Sequence, residues 1–206
     1  MKIYRGLVLA AAMSSFAVQP LGAAERPANG GDEARATFLQ YAKCTLDVRG
    51  EQAHAAVGYF PDSREEMRAL QGLPASECVQ YATSTFSTRL FRGALYTAMY
   101  QARFADGLPA LVASKPDFAA GAQSRITSEQ QAMIQLRDFA DCVVRRDGAN
   151  AHAAVIGPVG SEAERSAFDN LQPTLAACMT RGQNVAFSKP VIVGLLAEVL
   201  YREAQG

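Results

Sequence analysis

One segment of this chain occurs twice, about 100 residues apart, and this limits the folds open to it. The pentapeptide Ala-His-Ala-Ala-Val stands at residues 53–57 and again at residues 151–155. Around it, cysteine, glycine, serine, Phe-Ser and tyrosine residues follow in the same order at offsets of 98 to 101 residues. Chance supplies single matches but not an ordered series, so the pattern indicates an internal duplication. We therefore predict two tandem homologous units that fold alike.

Apolar residues within each unit recur at the spacing of an amphipathic helix. Phe38, Tyr41 and Val48 show this period in the first copy, and Met133 and Leu136 show it in the second. The chain is 49% hydrophobic and 19% charged, which is enough apolar material for one compact core. We predict an all-α protein whose two units, each with about four short helices, pack as one globule.

Glycine and proline predict where the helices are interrupted. Gly50 and Gly148 stand where a helix end favours a residue that tolerates positive φ, so we expect a turn at each. Pro74 and Pro173 follow the next helix, and an interior proline breaks the hydrogen-bond ladder. We expect both prolines to lie in turns before the helix that carries the second cysteine.

Serine residues predict several helix starts. In the pattern Ser-x-x-Glu, the serine hydroxyl and the glutamate carboxylate each accept a backbone N–H that the helix leaves unpaired. The last helix of each unit begins after a Phe-Ser pair, and its serine is the expected N-cap. The residues that we expect to cap helices are Ser63, Glu66, Ser161, Glu164, Ser87 and Ser188.

Two glycines, Gly93 and Gly194, fall inside the predicted last helices. A glycine in a helix interior costs about 1 kcal/mol relative to alanine. We therefore expect a packing reason for both, namely the close approach of another helix or of a disulfide.

The first 24 residues have the features of a secretory signal peptide. Lys2 and Arg5 form a short basic region, residues 6–18 are mainly apolar, and residues 22–24 are small. The apolar stretch is shorter than the 20 or so residues that a membrane-spanning helix needs. We expect export to the periplasm or secretion by a bacterium, without a membrane span after cleavage.

The composition between the repeated segments suggests the remaining boundaries. Residues 25–31 contain proline and two glycines and predict a flexible tail, and residues 104–127 have the composition of a linker. The predicted order is signal peptide 1–24, tail 25–31, first unit 32–103, linker 104–127 and second unit 128–206.

The chain contains four cysteines. Export would place them in an oxidising compartment, where disulfides persist. Four cysteines allow three connectivities. Two units that fold alike most simply close their own pairs, Cys44 with Cys78 and Cys142 with Cys178. No two cysteines have the C-x-x-C spacing of a redox catalyst, so we expect structural bridges.

The only histidines, His54 and His152, occupy the same place in the repeated pentapeptide. They are the candidate ligand or metal residues. The simpler interpretation is that each is a partly buried side chain that bonds to a backbone carbonyl. The alternative is that the packed units bring both imidazoles to one metal, with carboxylates such as Glu51 or Asp147 completing the site.

Charge and motifs limit the function. The 20 basic residues balance the 20 acidic ones, which argues against a nucleic-acid partner. Nucleophile elbows, metalloprotease helices and nucleotide-binding glycine loops do not occur in the sequence, and we expect no cofactor. We predict a non-enzymatic binding or structural module of the cell envelope, with an envelope protein or a small ligand as partner. The alternatives are a metal or small-ligand binder that uses the histidine pair, and an enzyme without a recognisable motif.

Overall fold

The computed structural model describes residues 29–81, 87–122, 125–179 and 188–205, and within them every regular element is a helix. The predicted all-α fold is therefore confirmed. The α-helices are α1 Asn29–Gly58, α2 Arg64–Gln71, α3 Thr88–Phe104, α4 Ser128–Arg146, α5 Gly148–Ile156, α6 Glu162–Cys178 and α7 Lys189–Glu203. A 3₁₀ helix, Ser76–Tyr81, lies between α2 and α3.

The predicted signal peptide, residues 1–24, lies outside the described residues, as does the first part of the predicted tail. Helix α1 already begins at Asn29, so the last three residues of that predicted tail are helical. The duplication of the two units stays a prediction.

The chain bends one residue before each of the two glycines that were expected to form turns. Arg49 has φ −134° and ψ 41° inside α1, and Asp147 has φ −148° and ψ 61° between α4 and α5. Neither Gly50 nor Gly148 has a positive φ, so the expected left-handed glycine is wrong. The Asp147 side chain instead accepts the Asn150 N–H at 3.3 Å, and this capping starts the new helix.

The two prolines behave differently. Pro74 lies in the non-helical connection between α2 and the 3₁₀ helix, as expected. Pro173 lies inside α6, so the expected turn in the second unit is wrong. Proline has no N–H and so cannot donate to the carbonyl four residues earlier, which here is that of Asp169. Asp169 is exposed, so water can donate to this carbonyl instead.

Helices α3 and α7 cross at the centre of the molecule. A Cβ added to Gly194 would lie 2.6 Å from Gly93 Cα, and one added to Gly93 would lie 3.0 Å from Gly194 Cα. The two backbones therefore touch, which is the packing reason expected for both interior glycines. Most of α7, from Ile192 to Tyr201, is buried. Among the residues that the structure describes, no helix is long and apolar enough to cross a membrane.

Each disulfide closes within its own half of the chain, as predicted. Cys44–Cys78 ties α1 to the 3₁₀ helix, and Cys142–Cys178 ties α4 to the last residue of α6. The Cα–Cα distance is 5.8 Å in both bridges.

The segment between α3 and α4 packs against the second half of the molecule. Its described residues, 105–122 and 125–127, contain no helix. Phe118 is buried, and the Val112 N–H donates to the Glu203 carbonyl at 3.1 Å. The Arg145 guanidinium donates to the carbonyls of residues 112, 113 and 114.

Candidate functional site

The predicted serine caps differ in their geometry. The Ser63 hydroxyl accepts the Glu66 N–H at 3.0 Å, and the Ser161 hydroxyl accepts the Glu164 N–H at 3.1 Å. Ser87 and Ser188 also hold N-cap positions, but their side chains make no capping hydrogen bond. The first two serines therefore cap their helices through the side chain, and the other two do not.

The two glutamates do not complete the expected capping box. The carboxylate of Glu66 accepts the Asp62 N–H at 2.5 Å, and that of Glu164 accepts the Gly160 N–H at 2.8 Å. In both cases this is the residue before the capping serine. The serine N–H groups bond to carbonyls in the preceding turn, so they are already satisfied.

Both glutamates also form buried ion pairs that the sequence did not suggest. Glu66 pairs with Arg92 on α3, and Glu164 pairs with Arg35 on α1. The Asp32 carboxylate also accepts a hydrogen bond from Arg35, at 2.8 Å. Each cap therefore links its helix to another part of the molecule through an arginine.

Glu198 on α7 is the centre of a larger buried cluster. Its Oε1 accepts hydrogen bonds from Arg92 at 2.9 Å, Arg137 at 2.8 Å and Arg202 at 3.1 Å. The side chains of Glu198, Arg92 and Arg137 are at most 3% exposed, whereas that of Arg202 is 36% exposed. We call these residues, together with Glu66, the arginine–glutamate cluster.

The charges of this cluster stabilise one another. Burial alone raises the pKa of the Glu198 carboxyl, but the charges of Arg92 and Arg137 outweigh it and hold that pKa well below its usual range. Burial lowers the pKa of Arg137, while Glu198 partly opposes the change. Three arginines thus share two carboxylates, and the cluster carries one more positive than negative charge.

A mainly apolar cavity of about 260 Å³ lies between α1, α3, α7 and the turn before α6. The apolar side chains that line it include Phe38, Leu39, Leu90, Ala94, Pro190 and Val193. Arg35, Ser87 and Thr97 are its polar residues, and Arg35 is already paired with two carboxylates. We call this space the apolar cavity.

A second cavity, of about 190 Å³, lies between α3, α4 and α7. It is lined by Met133, Leu136 and Leu195, and by Arg92 and Glu198 of the cluster. In the predicted repeat, Phe38 aligns with Leu136 and Ala94 aligns with Leu195, so related positions line both cavities.

The two histidines lie in different surroundings. His54 is exposed, and its ring centroid is 6.3 Å from that of Tyr201. His152 is half-buried, and its Nδ1 lies 2.7 Å from the Tyr100 hydroxyl. Burial lowers the pKa of His152. Each histidine lies next to a tyrosine from the other predicted unit. Within the described ranges, no group of three or more His, Cys, Asp or Glu side chains could hold a metal ion.

A buried carboxyl pair joins the end of α7 to α4. Glu203 is 0% exposed and lies beside Asp141, and Arg145 contacts both carboxyl groups, at 3.1 and 2.8 Å. Burial, together with a hydrogen bond to Asp141, raises the pKa of Glu203 to about 8, against the opposing charge of Arg145.

This raised pKa predicts a loss of stability at alkaline pH. The ordinary pKa of a glutamate such as Glu203 is 4.5, so its stabilising contribution is complete below that pH and is lost as the pH rises through about 8. Between pH 7 and 9 we expect the free energy of unfolding to fall by about 1 to 2 kcal/mol from this group. Denaturant unfolding of the wild type and of Glu203→Gln measures it, and the variant should show a flatter profile. An equal slope in both proteins would contradict the assignment.

Sequence reasoning missed the arginine–glutamate cluster. The sequence does contain one signal of buried charges. Glu198 interrupts an apolar run, and Arg92 stands between Phe91 and Leu95. A charge at such a position needs a buried partner. The partner is 106 residues away along the chain, beyond the reach of local patterns.

Compared with known proteins, the chain matches no described family and has no significant match among curated proteins or solved structures.

Proposed function

We propose that the mature chain is an exported, non-enzymatic binding protein of the bacterial cell envelope, and that its apolar cavity holds a small uncharged ligand. The observation that carries the proposal is the cavity itself, a space of about 260 Å³ that is lined mainly by apolar side chains of three helices and opens to solvent. Ligand sites in proteins are typically concave and mainly apolar, with a few polar groups.

The polar residues of the cavity favour an uncharged ligand. Arg35 is neutralised by Asp32 and Glu164. The Thr97 hydroxyl donates to the Gly93 carbonyl at 2.8 Å and so is already engaged. The described lining therefore offers no unpaired charge for an ionic head group. The volume is below the roughly 300 to 1,000 Å³ of pockets for drug-sized ligands, so we expect a small molecule.

The cellular location rests on two supports. The sequence predicts a signal peptide at residues 1–24, and both disulfides suit an oxidising compartment such as the periplasm. The non-enzymatic role rests on the lack of a catalytic motif in the sequence.

Filling the cavity provides the test. Ala94 is half-buried on the cavity wall, and leucine stands at the aligned position, Leu195. We expect the neutral fluorescent probe N-phenyl-1-naphthylamine to bind the wild type saturably, and Ala94→Leu to weaken this binding at least tenfold, because the added side chain occupies the cavity. The measurement is a fluorescence titration of the mature, oxidised protein.

A matched control makes the result specific. Ala163 is exposed on α6, outside the cavity, and Ala163→Leu should bind the probe like the wild type. Circular dichroism verifies that both variants are folded. The proposal fails if the wild type shows no saturable binding, or if a folded Ala94→Leu binds the probe as tightly as the wild type.

A further inference from the structure

The polar side chains of the apolar cavity include hydrogen-bond donors that the fold does not use. Arg35, Ser87 and Thr97 are these side chains. The Thr97 hydroxyl already donates to the Gly93 carbonyl. The unused donors of Arg35 and Ser87 therefore bear on what the ligand carries besides apolar surface.

Arg35 has one guanidinium nitrogen without a partner. Its Nη1 donates to Asp32 at 2.8 Å and to Glu164 at 3.2 Å, and its Nη2 donates to Glu164. Its Nε makes no hydrogen bond to any described residue, although the side chain lines the cavity and is 13% exposed. The fully buried unpaired polar atoms of the described residues belong to other side chains, so Arg35 Nε keeps some accessible surface.

The charges around Arg35 favour a neutral acceptor over an anion. Asp32 and Glu164 carry two negative charges, and Arg35 carries one positive charge. These three residues together are negative, so they oppose the entry of an anionic head group. A carbonyl oxygen accepts an N–H donor without bringing a charge into the cavity.

Ser87 offers a second donor at the same cavity. It occupies the N-cap position of α3, but its hydroxyl makes no capping hydrogen bond, in contrast to those of Ser63 and Ser161. A guanidinium group can only donate, and a hydroxyl can donate as well as accept. An acceptor oxygen is therefore the ligand group that both side chains are able to bind.

The rest of the lining determines the size and the character of the ligand. Phe38 supplies an aromatic ring, and the other apolar side chains named for this cavity are aliphatic. A water molecule occupies about 30 Å³ in the liquid, so a space of about 260 Å³ takes on the order of nine non-hydrogen atoms. Because the cavity opens to solvent, a longer ligand can project from it.

We propose that the ligand of the apolar cavity is a neutral, mainly aliphatic molecule with a carbonyl group, whose oxygen accepts a hydrogen bond from Arg35 Nε. This inference rests on the proposed function, because it names the chemical class of the ligand for the same cavity. A hydrogen bond from a charged donor is stronger than one between neutral groups. It therefore selects a carbonyl compound over a hydrocarbon of the same shape.

A matched pair of ligands tests the role of the carbonyl. 2-Octanone and 2-methyl-1-octene have the same planar shape and differ only in that a CH₂ group replaces the carbonyl oxygen. Each displaces N-phenyl-1-naphthylamine from the mature, oxidised protein, after the affinity of each variant for this probe has been measured. We expect Arg35→Lys to weaken the binding of 2-octanone at least about fivefold more than that of 2-methyl-1-octene.

The lysine variant isolates the hydrogen bond from other effects. Lysine keeps the positive charge opposite Asp32 and Glu164 but lacks the Nε donor. The cost of removing each ligand from water is the same for both proteins, so it cancels from the comparison. Ala94→Leu fills the cavity and should instead weaken both ligands alike.

A second measurement uses only the wild type and so does not depend on the folding of Arg35→Lys. With 2-octanone bound, the Arg35 Nε–H should show a nuclear Overhauser effect to the methyl group beside the carbonyl and none to the methyl group at the chain end. The Nε–H of Arg165, which lies outside the cavity, should show neither.

The outcomes separate this inference from the proposed function. If neither ligand nor the fluorescent probe binds saturably, the proposed function fails, and this inference fails with it. If the ligands bind but a folded Arg35→Lys weakens both equally, or the Arg35 Nε–H shows no effect to the methyl group beside the carbonyl, this inference alone is overturned.

Discussion

Replacing Glu198 by glutamine is expected to lower the free energy of unfolding by about 3 to 5 kcal/mol. The change removes the only described carboxylate of Arg137 and Arg202 and one of the two that contact Arg92. The Arg137 guanidinium then remains buried without a compensating charge, while Arg92 keeps Glu66 and Arg202 is partly exposed. Burying an unpaired charge is far more costly than losing a surface ion pair. Chemical denaturation at neutral pH measures the difference.

Glu162→Gln is the matched control for this measurement. Glu162 also pairs with an arginine, Arg165, but its side chain is 86% exposed, so we expect a change within about 0.5 kcal/mol. Because the folded-state pKa of Glu198 lies below the ordinary glutamate value of 4.5, its contribution is present above that pH and is lost as the pH falls below it. Equal effects of the two substitutions at neutral pH would contradict the buried cluster.

Removing the Cys44–Cys78 bridge with a double alanine variant is the second large change. If the bridge acts by restricting the entropy of the unfolded chain, a closure across 34 residues stabilises the fold by about 4 kcal/mol. Cys78 is also 0% exposed, so its truncation costs packing as well. We expect a loss of at least about 4 kcal/mol and faster amide hydrogen exchange in the 3₁₀ helix Ser76–Tyr81, which this bridge ties to α1.

The Cys142–Cys178 bridge offers the comparison within the same molecule. Its sequence separation is 36 residues, so its entropic contribution is nearly the same. Cys178, however, is the last residue of the 17-residue helix α6 and is only half-buried. We therefore expect the second double alanine variant to lose less stability than the first. A larger loss from the second bridge would contradict this ranking, which rests on the deeper burial of Cys78.

Local features were predictable from the sequence because neighbouring residues determine them. The Ser63 and Ser161 hydroxyl caps depend on groups three residues away. The disulfide pairs followed from the count and order of the cysteines once each half was expected to close its own pair. Gly93 and Gly194 indicated a close contact because a helix-interior glycine needs a reason, although only the structure shows that each glycine contacts the other.

The candidate sites could not be predicted because they depend on which helices meet. Arg92 and Glu198 are 106 residues apart, and neither has a neighbour in sequence that suggests the pair. The apolar cavity depends on the angle and distance between α1, α3 and α7, which the hydrophobic pattern does not contain. The bend lies at Asp147 and not at Gly148 for a different reason, because the aspartate side chain caps α5 by accepting the Asn150 N–H.

The apolar cavity and the second cavity, which is lined by Arg92 and Glu198 among others, have two lining residues in common, Leu90 and Pro190. These two residues therefore belong to the wall of both cavities. A bulkier or smaller residue at either position therefore alters both chambers together, and an occupant of one rests on the wall of the other. This shared wall lies on α3 and α7, the two helices whose backbones meet at Gly93 and Gly194.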